Sequence, residues 1–241
     1  SSKAWNSFIG AARTPLFAPV RFGPSGRFAL RLRQMKRPSG LAEELAILER
    51  TGKSVRWFDL PQSSYDEFSA ARPKRVEGGY TRGQTTIEEG IGPWQIVDGT
   101  LWFGKAFYDG EGMSGVGGFG YFDTESRQFR LHSPPQSWDY SASALLLDGD
   151  AVWLALEQAG EWASTGGGVV RFSRSGQLLD RIPIAERVAG IARVNGQILM
   201  ATDYGAALFD GLQVRRFFID QSRSGRLRVV EALPGNYAGV E

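Results

Sequence analysis

The side chains of this 241-residue chain that could do chemistry fall into two sets. The first pairs aromatic rings with carboxylates: Tyr108 with Asp109 and Glu111, Trp138 and Tyr140 with Asp139, Trp162 with Glu161, and Tyr204 with Asp203. A ring beside an acid suits a protein contact, a sugar, or a cationic or aromatic small molecule, because flat apolar area and an ionic anchor sit together. The second set is basic. Residues 1–42 carry eight Lys or Arg and no acid, with Arg31, Arg33, Lys36 and Arg37 close together. Such a one-sign stretch suits phosphates or an anionic membrane surface. Arginines alternating on the solvent side of a strand would give the same pattern.

Catalytic groups are scarcer. Cysteine is absent, which excludes a thiol nucleophile, a disulfide framework and a Cys-ligated zinc site. His132 is the sole histidine, and no partner for an acid–base pair can be named from spacing. Asp109-Gly110-Glu111 has alternating oxygen ligands of the kind calcium takes, without the full spacing of a calcium loop. The Gly-rich run 115–120 lacks the Lys-Ser/Thr pair of a phosphate loop and reads as the start of a strand. The expectation is therefore no catalytic residue, no metal and no cofactor.

These residues must be carried by a repeated unit. Asp98-Gly99-Thr100-Leu101-Trp102-Phe103-Gly104 recurs as Asp148-Gly149-Asp150-Ala151-Val152-Trp153-Leu154-Ala155, and more loosely from Asn195-Gly196 to Ala201. Asp-Gly and Asn-Gly suit two-residue hairpins, whose turns need positive φ. These turns and Pro234-Gly235-Asn236 are separated by 50, 47 and 39 residues, matching the roughly 40–50-residue period of propeller blades.

Each unit reads as four strands. They are placed at 19–22, 28–33, 44–48 and 54–59 in the first unit, 95–97, 101–107, 119–122 and 128–132 in the second, and 144–147, 151–157, 168–172 and 177–182 in the third. A fourth unit includes strands at 206–209 and 212–219, and a fifth opens at 226–230. Trp102, Trp153, Phe122 and Phe172 recur within strands and read as core.

The expectation is an all-β propeller of five four-stranded blades over residues 1–241, with an insertion at 63–90 and the last blade closed by N-terminal strands. A four-bladed ring with an extra edge, or a fragment of a larger propeller, is the alternative. The Asp-Gly-x-Leu-Trp-Phe-Gly phrase, with 118–125 and 166–172, resembles the blade repeat of bacterial two-component-regulator sensor propellers and streptogramin-lyase-like propellers. That resemblance implies architecture. In the lyase-like enzymes it would also imply a histidine on the central face, where His132 is not expected.

Strand alternation puts the first-to-second and third-to-fourth turns of every blade at one end of the disc and the remaining connections at the other. The longer connections, 34–40, 63–90, 108–118 and 158–167, gather at the second end, which marks it as the binding side. The reading is a non-enzymatic binding or scaffold module of a bacterial envelope or signalling protein, periplasmic or envelope-associated, with a cytoplasmic location as the alternative. A protein partner is expected, a small-molecule or sugar ligand and an anionic membrane surface are open, and nucleic acid is disfavoured. The competing reading is a lyase or hydrolase using Asp109, Glu111 or Asp203, with or without a metal. No transmembrane segment is expected, because no run of about 18 apolar residues occurs, and the start has no apolar signal-peptide core.

Overall fold

The computed structural model describes residues 20–37, 40–63, 89–107, 116–138, 140–159, 164–220 and 228–231. They form four antiparallel sheets whose strands follow one another in chain order. The first holds β1 (Val20–Phe22), β2 (Phe28–Arg37), β3 (Gly40–Thr51) and β4 (Ser54–Phe58). The second holds β5 (Glu89–Val97), β6 (Thr100–Phe107), β7 (Phe119–Asp123) and β8 (Gln128–His132). The third holds β9 (Ser141–Asp148), β10 (Ala151–Ala159), β11 (Ser164–Ser173) and β12 (Leu178–Ile182). The fourth holds β13 (Val188–Val194), β14 (Gln197–Thr202), β15 (Gly205–Phe209), β16 (Val214–Asp220) and β17 (Arg228–Glu231).

Packing between sheets runs from each to the next, and β9 packs on both β5 and β13, which sets these first strands nearest the axis. Four-stranded meanders packed face to face around an axis make a β-propeller. The hairpin turns have the expected chemistry: Asp98 and Gly99 sit at φ 50° and 74°, Asn195 and Gly196 at 49° and 81°.

Alternation along the second strand of each blade supplies the cores. Leu101 and Phe103 face the first sheet and join Phe22, Phe28, Leu30, Ile47, Phe58 and Phe122. Trp102 faces the third sheet, beside Phe119, Val152, Leu154 and Phe172. One repeat later, Trp153 faces the fourth sheet with Val188, Ile198, Met200 and Ala207. Gly104 lets the sheets approach, since a Cβ there would stand 2.4 Å from that of Ala142.

Three expectations change. The strand expected to open a fifth unit is β17, which pairs with β16 through Asp220↔Arg228 and Phe217↔Glu231 and widens the fourth sheet. The fifth blade and its N-terminal closure concern residues 1–19 and 232–241, outside the described residues, as is most of the 63–90 insertion. The connection expected at 34–40 is mostly strand: β2 and β3 pair out to Arg37↔Gly40, with Arg33 opposite Glu44 and Gln34 opposite Glu43, so cross-strand pairs support polar residues that read as loop. Likewise β10 and β11 pair through Ala159↔Ser164, across a bulge at Leu156/Glu157.

Candidate functional site

Two ends of the disc are distinguished by their connections. At the turn end lie the hairpins at Asp98-Gly99, Gly149 and Asn195-Gly196. At the loop end lie Gln62 and Ser63, residues 133–138 and Tyr140, residues 183–187 and the turn at Asp203-Tyr204. The Gly-rich runs act here. A Cβ on Gly117 would lie 1.9 Å from the Ser137 carbonyl oxygen and 2.3 Å from that of Tyr140, and one on Gly166 would lie 2.1 Å from that of Glu186. In both blades the glycines let the third strand pass under the connection that leads to the next sheet.

Two charged clusters are built at this end. Glu89, at the start of β5, and Lys105, on β6, form an ion pair of 2.8 Å with side chains essentially closed to solvent. Glu89 Oε2 also accepts from the Ser63 hydroxyl at 2.7 Å and the Ser63 amide at 3.2 Å, while Oε1 accepts from the Val116 amide at 2.8 Å. Lys105 Nζ donates to Ser63 Oγ at 3.1 Å. Gln62 closes the cluster by donating to the Glu89 carbonyl at 2.8 Å and accepting from its amide at 2.6 Å.

The second cluster bridges the third and fourth sheets. Glu157, 1% exposed at the bulge of β10, accepts from the Arg187 guanidinium, which also stands 3.5 Å from Asp203. The Asp203 amide donates to the Arg187 carbonyl at 3.2 Å. Burial pushes the Glu157 carboxyl above its ordinary value, with Arg187 opposing. Nearby, Glu186 pairs with Arg216 at 3.1 Å. Tyr204, next to Asp203, is 66% exposed.

Of the residues expected to bind, Asp203 and Tyr204 are brought to this second cluster. Tyr140 packs on Gly167 and the core between the second and third sheets. Trp138 turns its indole N–H to the Ser133 carbonyl at 2.8 Å and so holds its own connection. Tyr108, Asp109, Glu111, Glu161 and Trp162 lie outside the described residues. On the basic stretch, Arg31 and Lys36 are exposed, while Arg33 pairs with Asp59 at 2.8 Å and covers the Trp57 ring at 5.0 Å. The Arg37 side chain is not among those described. His132 lies against Phe119 with centroids 5.2 Å apart, and burial holds it below the ordinary histidine value.

Spacing did not point to Glu89, Lys105, Glu186 or Arg187. For Lys105 a signal existed: a charge interrupts the apolar run from Leu101 to Phe107. A cleft of about 400 Å³ on the rim, lined by Phe58, Asp59, Pro61, Arg127, Gln128 and Phe129, contains none of the expected residues. Among the described residues no group of three or more His, Asp or Glu is placed to hold a metal, and no helix is long and apolar enough to cross a membrane.

No family model and no curated protein sequence matches the chain. Solved structures similar to it include the extracellular domain of a one-component system from B. thetaiotaomicron, at 11% identity and TM-score 0.39, covering 78% of this chain and 22% of that one. The chain thus spans about a fifth of that protein's length. Others are a glucose dehydrogenase-type oxidoreductase from Thermus thermophilus (16%, TM-score 0.35, covering 88% and 68%) and an α-L-arabinanase from Cellvibrio cellulosa complexed with arabinohexaose (8%, TM-score 0.23, covering 88% and 96%). Strand order and the packing of consecutive sheets, rather than these likenesses, define the chain as a propeller.

Proposed function

We propose that this propeller is a binding module that holds a protein partner or a small ligand at its loop end, in the envelope or periplasm of a bacterium. The observation that carries the reading is the exposed ring of Tyr204 beside Asp203, whose carboxylate stands 3.5 Å from Arg187, itself anchored on the buried Glu157. An exposed ring next to an acid anchored in this way is arranged for recognition before a partner arrives, and an ammonium or guanidinium group is the complement that such a surface fits. The envelope location is supported by the resemblance of the repeat to sensor propellers. Photo-cross-linking from position 204 in the native assembly tests the reading. Tyr204→Ala and Asp203→Asn should each weaken capture of the cross-linked partner roughly 30-fold, the effect of a hot spot worth about 2 kcal/mol, without lowering the melting temperature. Capture unchanged in both variants would remove it.

The competing enzymatic reading is supported by Glu157 alone, a buried carboxyl with a raised value beside a second acid, as a proton donor requires. It requires Glu157→Gln to abolish turnover of a substrate whose binding survives.

A further inference from the structure

The buried ion pair at the start of the second blade has a counterpart that shows what packing alone would need there. Counting from Trp102 and Trp153, Lys105 occupies the slot that Leu156 fills in the third blade, and Leu156 is 1% exposed. An apolar side chain therefore fits this position of the repeat. Placing an ammonium and a carboxylate there costs desolvation that the attraction between them offsets only with full hydrogen bonding, and apolar replacements of buried pairs are often neutral or stabilising. Both Glu89 oxygens accept hydrogen bonds and Lys105 donates to Glu89 and Ser63, and the distribution of these bonds is informative. One carboxylate ties together three separated points of the chain: Ser63 on the way out of the first blade, Lys105 on β6, and Val116 on the way into β7. Ser63 and Val116 are the described residues bordering 64–88, the long connection into the second blade, and 108–115, the long connection within it between β6 and β7.

We propose that Glu89 and Lys105 are positioning residues: the pair fixes where both connections leave the disc and sets their spacing, and the third blade, with shorter connections, has no such need. The inference concerns the same loop end as the binding reading, but its test uses no ligand, so either can fail without the other.

The test is Glu89→Leu combined with Lys105→Leu, which gives the second blade the apolar filling of the third. Thermal melting and residue-resolved amide hydrogen exchange are measured on the full chain. The expected result is a melting temperature within about 4 °C of the parent. The Ser63 and Val116 amides should exchange at least about tenfold faster, while Phe103 on β6 and Leu154 on β10 keep their protection. Two results overturn the proposal. Unchanged protection at Ser63 and Val116 would make the pair an incidental filling, and a melting temperature lowered together with faster exchange at Phe103 and Leu154 would make it an element of global stability. Lys105→Leu alone, which leaves Glu89 buried without its cation, should melt lower than the double variant, and the reverse order would also overturn the proposal.

Discussion

The two ends of the disc join their sheets with the same chemical groups at different depths. At the turn end, Glu49 of the first sheet is held by Arg27 at 2.6 Å and by Arg127 of the second sheet at 3.1 Å, and Asp148 of the third is held by Arg193 of the fourth at 2.5 Å. These arginines remain 37–45% exposed, while the Glu49 carboxylate that two of them hold is 5% exposed. At the loop end, both side chains of the Glu89–Lys105 pair are at most 1% exposed, and Glu157 is buried beneath Arg187. A guanidinium that stays in solvent loses little solvation and returns little stability, whereas a pair buried at both partners must be completed by other donors and acceptors or it is a liability. The turn end is fastened. The loop end is positioned, by groups that a purely structural design would have made apolar.

Backbone clearance should separate the ends most strongly. Gly117→Ala places a methyl against the Ser137 and Tyr140 carbonyls and should cost about 3 kcal/mol in urea unfolding. Gly149→Ala, at φ 57° on a turn with nothing within 4 Å, should cost about 1 kcal/mol. Equal losses would mean that the loop end yields as readily as the turn end.

Arg187→Ala should cost about 2 kcal/mol near pH 8, because it strands the buried Glu157 carboxylate. The pH dependence has a definite sign. Burial already raises the folded-state value of Glu157 above 4.5, and removing Arg187 raises it further. A carboxyl that binds its proton more tightly in the folded protein stabilises it at low pH and loses that contribution as pH rises from 4.5 through the folded value. The deficit of the variant should therefore widen from pH 4.5 to pH 8 in a series of unfolding curves, and a constant deficit would contradict the burial of Glu157.

Arg193→Ala at the turn end should shift the unfolding midpoint much less than Arg187→Ala does, since Arg193 is 45% exposed. A shift as large as that of Arg187→Ala would erase the distinction between fastening and positioning.

Much of the scaffold was legible because its signals are local. The Asp98-Gly99 and Asn195-Gly196 turns need positive φ, and the alternation from Leu101 to Phe103 fixes which side of a sheet each residue faces. What escaped depends on partners distant in sequence. The outer ends of β2 and β3 read as a loop because Gln34 and Lys36 are polar, and only the register with Glu43 and Leu41 makes them strand. The start of β5 was hidden by Gly90, Gly92 and Pro93, which the sheet accommodates at a register shift between Ile91 and Trp94. At the candidate site, Asp203 and Tyr204 were identified from residue type. Arg187 became relevant only when the fold set it over Glu157, 30 residues away in the chain.

The chain-order arrangement of every sheet also bears on how the molecule comes into being. Among the described residues no strand pairs with one from another sheet, and each sheet packs on the one made just before it. A chain emerging from the ribosome N-terminus first therefore has the first sheet's strands in hand before the second is synthesised, and each later sheet meets a finished surface on which to condense. Synthesis would proceed as templated growth, each new sheet condensing on the one before it.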